Sequence, residues 1–146
     1  MTLQELENTL PNGLHDAEVK HISVDYQERT LTVDVEVWIG SIDDPPERRE
    51  AYRTGQIKMS GLVFFVMEAP DARYPYRISS KLTIDAADAR QSLDDQLIRS
   101  LPADAFFQSL WVSEWNNCMH VAAKGAELTW NDSPVLYRNR EHQAKK

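Results

Sequence analysis

Cysteine is almost absent from this 146-residue chain. The single Cys118 excludes an intrachain disulfide and any cysteine-based zinc cluster. Glycine is scarce as well. Five glycines leave few places for backbone to cradle a phosphate, and there is no Gly-rich phosphate loop, Gly-x-Ser-x-Gly elbow or dinucleotide fingerprint. Long hydrophobic runs are missing: the longest, residues 62–67, falls far short of the roughly 20 residues that a membrane span needs. The opening residues, Met1-Thr-Leu-Gln-Glu-Leu-Glu, show no basic stretch leading into an apolar one, so no secretory signal is visible and a cytoplasmic protein is expected.

What is present describes an ordinary globular chain. Apolar residues make up 42% and charged residues 27%, enough for residues 1–146 to form a single domain with its own core. Twenty-three acidic against sixteen basic side chains leave a net charge of −7, which argues against a nucleic-acid-binding surface. All of that excess lies in residues 1–73; the second half is neutral. Residues 138–146 are basic with almost nothing apolar, and are expected to be a flexible tail.

Thr2 followed by Glu5 forms a capping box, and Leu3, Leu6 and Leu10 recur at helical spacing, so residues 1–10 predict a short helix that ends before Pro11-Asn12-Gly13. The period then changes to two. Ile22, Val24 and Tyr26 alternate with polar residues, as do Leu31, Val33, Val35, Val37 and Ile39, predicting an antiparallel hairpin. A turn centred between Glu28 and Arg29 pairs Tyr26 with Leu31, Val24 with Val33 and Ile22 with Val35, and sets His21 against Glu36. Residues 40–54 read as a polar loop around Asp43, Asp44 and Glu47, the place to look for a partner-binding element. Residues 56–68 read as one long strand, with Gly61 marking a bulge or close backbone approach. Residues 76–85 predict the next strand. A helix with an apolar stripe at Leu93, Leu97, Ile98 and Leu101 is expected to cover the sheet.

The last third predicts a three-strand meander turning at Asn116-Asn117 and Lys124-Gly125. That register puts Ser113 opposite His120, Leu128 beside Val121 and Trp130 beside Met119. The expected fold is α+β: a mainly antiparallel, meander-rich sheet of about seven strands with two short helices.

Three clusters could carry function. On the meander's second face His120 lies between Ser113 and Thr129, flanked by Trp111 and Trp115, with Cys118 and Glu127 nearby; aromatics around a few polar groups suit a ligand pocket. A packed helix with His120 bonded to neighbouring hydroxyls is the plainer alternative. His21 opposite Glu36 could form an acid–base pair or a simple cross-strand contact. His15, Asp16 and His21 could serve a metal or hydrolytic site, but no metal-ligand spacing places two of them together locally. No cofactor is implied.

The run Pro11-Asn12-Gly13-Leu14-His15-Asp16-Ala17-Glu18, leading into the hairpin, resembles small bacterial domains that carry a Leu/Phe-His-Asp-Ala turn before a first hairpin; some polymorphic-toxin immunity proteins look similar there. The resemblance covers residues 11–39 and implies a cytoplasmic, non-enzymatic β-rich domain. The function expected is a non-catalytic interaction module, of immunity type, that meets a basic protein partner or a second copy of itself. A small-ligand-binding domain using the aromatic face is the alternative, and a hydrolase or metal enzyme the second.

Overall fold

Two-residue alternation dominates the chain, and most of it becomes sheet. The computed structural model describes residues 1–73, 81–87 and 95–138. Among them are nine strands in one antiparallel sheet: β1 (Ala17–Asp25), β2 (Thr30–Trp38), β3 (Ala51–Ser60), β4 (Phe64–Met67), β5 (Thr83–Ala87), β6 (Phe106–Val112), β7 (Asn117–Ala123), β8 (Gly125–Trp130) and β9 (Leu136–Tyr137). Three short helices, α1 (Leu3–Asn8), α2 (Pro46–Arg49) and α3 (Asp95–Arg99), and a 3-10 turn at Ser113–Trp115 complete the described elements. The α+β class is as expected; the two additional strands come from a break in β3–β4 and from β9.

The N-terminal helix forms as its caps dictate. Thr2 Oγ1 accepts from the Glu5 N–H at 3.1 Å, and the Glu5 carboxylate accepts from the Thr2 N–H at 2.7 Å. Its apolar stripe buries Leu3 and Leu6 against the sheet.

The first hairpin pairs Val24 with Leu31 and Ile22 with Val33, two residues away from the expected register. The cause is local. Asp25 Oδ1 accepts from the N–H groups of Gln27 and Glu28, and Arg29 takes a positive φ of 54°, so the loop is Tyr26 to Arg29. A slip of two preserves the faces, so Ile22, Val24, Leu31, Val33, Val35 and Val37 keep the side expected, whereas Tyr26 falls in the loop and is 72% exposed. The register slips again at Lys20, between Val19↔Val35 and His21↔Asp34. This bulge keeps Val19 and Ile22 on the same side and Lys20 out of the interior. His21 therefore faces Asp34, and Glu36 faces Glu18.

The expected C-terminal meander is replaced by a different connection. β7 does not pair with β8; it lies between β4 and β6, while β8 pairs with β3. Ser60 pairs with Gly125 on one side of the break and Phe64 with Ala122 on the other. The β3–β4 and β7–β8 segments are thus one long antiparallel pair that turns a corner together. Gly61 makes the corner at a φ of 62°, a conformation that favours glycine, and a Cβ there would lie 2.8 Å from the Lys124 side chain. Leu128 consequently faces Ile57 rather than Val121, and Trp130 faces Gly55 rather than Met119.

The corner closes the sheet on itself. Around the ring run β5, β1, β2, the β3–β4 pair member, the β7–β8 pair member and β6, which returns to β5. Inside this barrel lie Leu31, Val33, Ile57, Met59, Ile84, Leu110, Met119 and Val121, around an apolar void of only about 20 Å³.

Residues 40–54 differ from the polar loop expected. Pro46 starts α2, where its missing N–H costs nothing, and strand pairing resumes at Ala51. The described part of the expected covering helix is Asp95–Arg99; Leu97 is 41% exposed, and none of Leu97, Ile98 or Leu101 joins the core among the described residues. Leu93, residues 76–80 of the predicted fifth strand and residues 139–146 of the tail lie outside the described residues.

The loop before β3 is anchored by close backbone approach. A Cβ on Gly40 would sit 2.1 Å from the Arg49 carbonyl oxygen, which already accepts from Trp38 Nε1 at 2.8 Å. Gly40→Ala is therefore expected to destabilise the domain by about 1–3 kcal/mol through forced backbone displacement, measured by urea unfolding.

Candidate functional site

The bulge at Lys20 and the pairing of β1 with β2 build the most charged part of the barrel wall. Glu18 and Glu36 stand opposite each other on the outer face, and both are buried, at 7% and 3% exposure. Two buried carboxylates side by side need compensating charge. Lys20 supplies some, 2.7 Å from Glu18 and 3.7 Å from Glu36. Arg138, just beyond β9, supplies the rest: its guanidinium donates to Glu36, lies 3.4 Å from Glu18 and stacks over the Tyr52 ring at 4.6 Å. The Arg138 N–H also donates to the Glu50 carbonyl, which fixes the arginine over the wall.

Burial pushes Glu18 up, but the Lys20 hydrogen bond and the charges of Lys20, Arg138 and Lys81 outweigh it and hold the carboxyl below its usual range. Burial and a 2.9 Å hydrogen bond to Glu50 push the Tyr52 phenol up to about 12, so it stays protonated. A cleft of about 250 Å³ opens here, lined by Asp16, Glu18, Glu50, Tyr52, Lys81, Thr83 and Arg138.

Asp16 links this cleft to a second cluster. His15 Nδ1 donates to Asp85 Oδ1 at 2.6 Å, and its Nε2 lies 3.4 Å from Asp16 Oδ2. One ligand atom from each of His15, Asp16 and Asp85 falls within 4.8 Å of the others, so the three could hold a cation. The observed arrangement is that of an imidazole held between carboxylates, and the Asp85 hydrogen bond raises the His15 pKa. His21, expected to join His15 and Asp16, sits exposed across from Asp34; Asp85 takes its place. Spacing could not reveal Asp85, which arrives from a strand 70 residues away.

The aromatic patch expected around His120 is not assembled. Ser109, not Ser113, lies opposite His120, because the turn after β6 comprises residues 113–116 and the register moves by four. Ser113 is exposed at the start of that turn, while Trp115 packs against the core. Thr129 is on β8 opposite Gln56, and Trp111 lies between Cys118 and Asp85. His120 itself is fully buried. Its Nδ1 meets Ser109 Oγ at 2.6 Å, its Nε2 donates to Glu68, and Phe107 stacks on the ring at 6.1 Å.

A serine, a histidine and a glutamate in line resemble a hydrolytic relay, but the order is reversed, with serine on Nδ1 and the acid on Nε2. Ser109 is 4% exposed and His120 0%, so the hydroxyl and the imidazole are closed off from solvent, and only Glu68, at 22%, reaches the surface. Cys118, buried beside it, has its thiol pushed up by burial and by the Glu68 charge, away from the reactive thiolate. These groups satisfy one another and stiffen the wall.

In the acidic loop, Asp43 and Glu47 are exposed. Asp44 is turned inward: its carboxylate accepts from the Ser41 N–H at 2.9 Å, and its carbonyl accepts from Arg49.

One buried acid escapes any sequence signal. Glu7 on α1 is 5% exposed; its Oε2 accepts from Gln108 at 3.1 Å, and its Oε1 has no partner among the described residues. Burial raises its pKa, opposed by the Gln108 hydrogen bond and assisted by the Asp85 charge.

Ser109→Ala is expected to cost about 1–3 kcal/mol by removing the buried hydrogen bond to His120 Nδ1, read from denaturant unfolding. Glu7 carries a pH prediction. Its carboxyl holds a proton to higher pH when folded than when unfolded, so its contribution is full below about 4.5 and is lost as pH rises through the raised value. Glu7→Gln should thus raise Tm relative to the parent at pH 7 and change it little at pH 4, measured by calorimetry. Comparison of the chain with protein-family models, with curated proteins and with solved structures finds no match.

Proposed function

We propose that the protein is a non-catalytic interaction module that takes a basic protein partner on the carboxylate-rich wall formed by β1, β2 and β3. One observation carries this reading. The wall already binds a guanidinium, between buried Glu18 and Glu36 and over the face of Tyr52. That combination of carboxylates and an aromatic ring is the chemistry that recognises arginine. Asp16 and Glu50 line the space beside it, and Asp43 and Glu47 stand exposed on the segment leading to Glu50.

The net charge of −7, concentrated in the half of the chain that builds this wall, supports long-range attraction of a basic surface. An immunity-type role, in which the wall covers a basic face of a toxin, is one form the function takes. Two further observations support a non-catalytic reading: His120 is sealed from solvent, and Tyr52 is held protonated.

The test uses arginine-bearing peptides and matched glutamine controls, titrated by calorimetry. Arginine peptides should bind and the controls should not. Binding should weaken at least tenfold between 50 and 300 mM salt, as expected for contacts between exposed charges. Asp16→Asn combined with Glu50→Gln should reduce it further without unfolding the domain. Equal binding of both peptide sets would overturn the proposal.

A further inference from the structure

A second surface lies at the end of the barrel and shares no lining residue with the charged cleft. A groove of about 630 Å³ runs between α1 and β8, lined chiefly by Leu6, Leu10, Ile39, Arg53, Leu128 and Trp130. Its wall on the β8 side is a strand edge. Asn131 N–H donates to Thr54 O, which places residues 125, 127 and 129 in the hydrogen-bonded pairs with β3. Ala126, Leu128 and Trp130 point their backbone groups the other way. Of these, the Ala126 N–H is taken by the Met1 carbonyl at 2.8 Å; the Leu128 and Trp130 groups meet no backbone partner among the described residues.

An open strand edge beside a helix accepts one shape of ligand: an extended backbone that adds as another strand. The chain itself makes the first bond of such an addition, from Met1 at the Ala126 end. At the far end stands Arg53, its guanidinium 4.7 Å above the Trp130 ring, with no carboxylate partner among the described residues. Glu127, across from Lys58 on β3, also lines the groove but forms no ion pair with Arg53 among the described residues.

We infer that this groove is a docking site for an extended segment of a partner protein. The segment continues the Met1 bridge along β8, sets apolar side chains against Leu6, Leu10 and Leu128, and presents a carboxylate to Arg53. The five residues from Ala126 to Trp130 span about 17 Å, so a segment of similar length fills the edge. The open backbone supplies affinity for any extended chain, and the guanidinium selects an acidic one.

Seven-residue peptides of alternating Val and Thr, ending in Asp or in Asn, are the probes; Trp130 fluorescence and amide hydrogen exchange are the readouts. The Asp peptide should bind at least tenfold tighter than the Asn peptide and should slow exchange at Leu128 and Trp130. Arg53→Gln should erase the Asp preference while leaving Tm and weak binding of both peptides, and Arg53→Lys should restore part of it. N-methylation of the amides that face β8 should abolish binding. The inference is overturned if neither peptide slows exchange at those two amides, if the N-methylated peptide binds as well, or if the preference survives Arg53→Gln.

Discussion

The shared corner at Gly61 and Lys124 is the constraint on which the rest of the molecule depends. Without it β3–β4 and β7–β8 would be straight strands, and the sheet would keep two long open edges with one apolar face uncovered. With it, one pair of strands contributes to both ends of the sheet and joins them. The interior then needs no covering helix, which explains why α3 leaves Leu97 in solvent. Closure still leaves a length of β8 without a further strand partner among the described residues, where α1 and Met1 meet it.

Closure also divides the polar residues. Nothing charged can enter an interior of this size, so every ionisable group on the strands must lie on the outer wall or at the rim. Where wall residues become buried they are paired: Glu18 and Glu36 with Lys20 and Arg138, His120 with Ser109 and Glu68. Such pairs add little net stability compared with apolar residues of the same shape, but losing one partner is costly. The geometry therefore holds the carboxylates in place, which suits a surface that recognises fixed positive charge.

Much of the barrel's interior was legible from alternation, because a slip of two or four residues leaves every side chain on its face. Leu31, Val33, Leu110, Met119 and Val121 were assigned inward and are inward, although both hairpin registers differ from those expected. The partners across the strands were not legible. Asp25 capping the first turn moved Val24 from Val33 to Leu31, and the 3-10 turn at Ser113–Trp115 exchanged Ser113 for Ser109 beside His120. For the candidate sites this matters more than for the core, since a site is defined by which residues meet rather than by which face they occupy.

The amino-acid sequence by itself determined the strands' faces, the capped first helix and the acidic character of the first half. These follow from the spacing and chemistry of residues close together in the chain. Only the tertiary structure decided that β8 pairs with β3, that Arg138 completes the Glu18–Glu36 pair and that Asp85 meets His15. Each of those contacts joins residues about 70 or more positions apart, and a local pattern holds no record of where a bent strand will be carried.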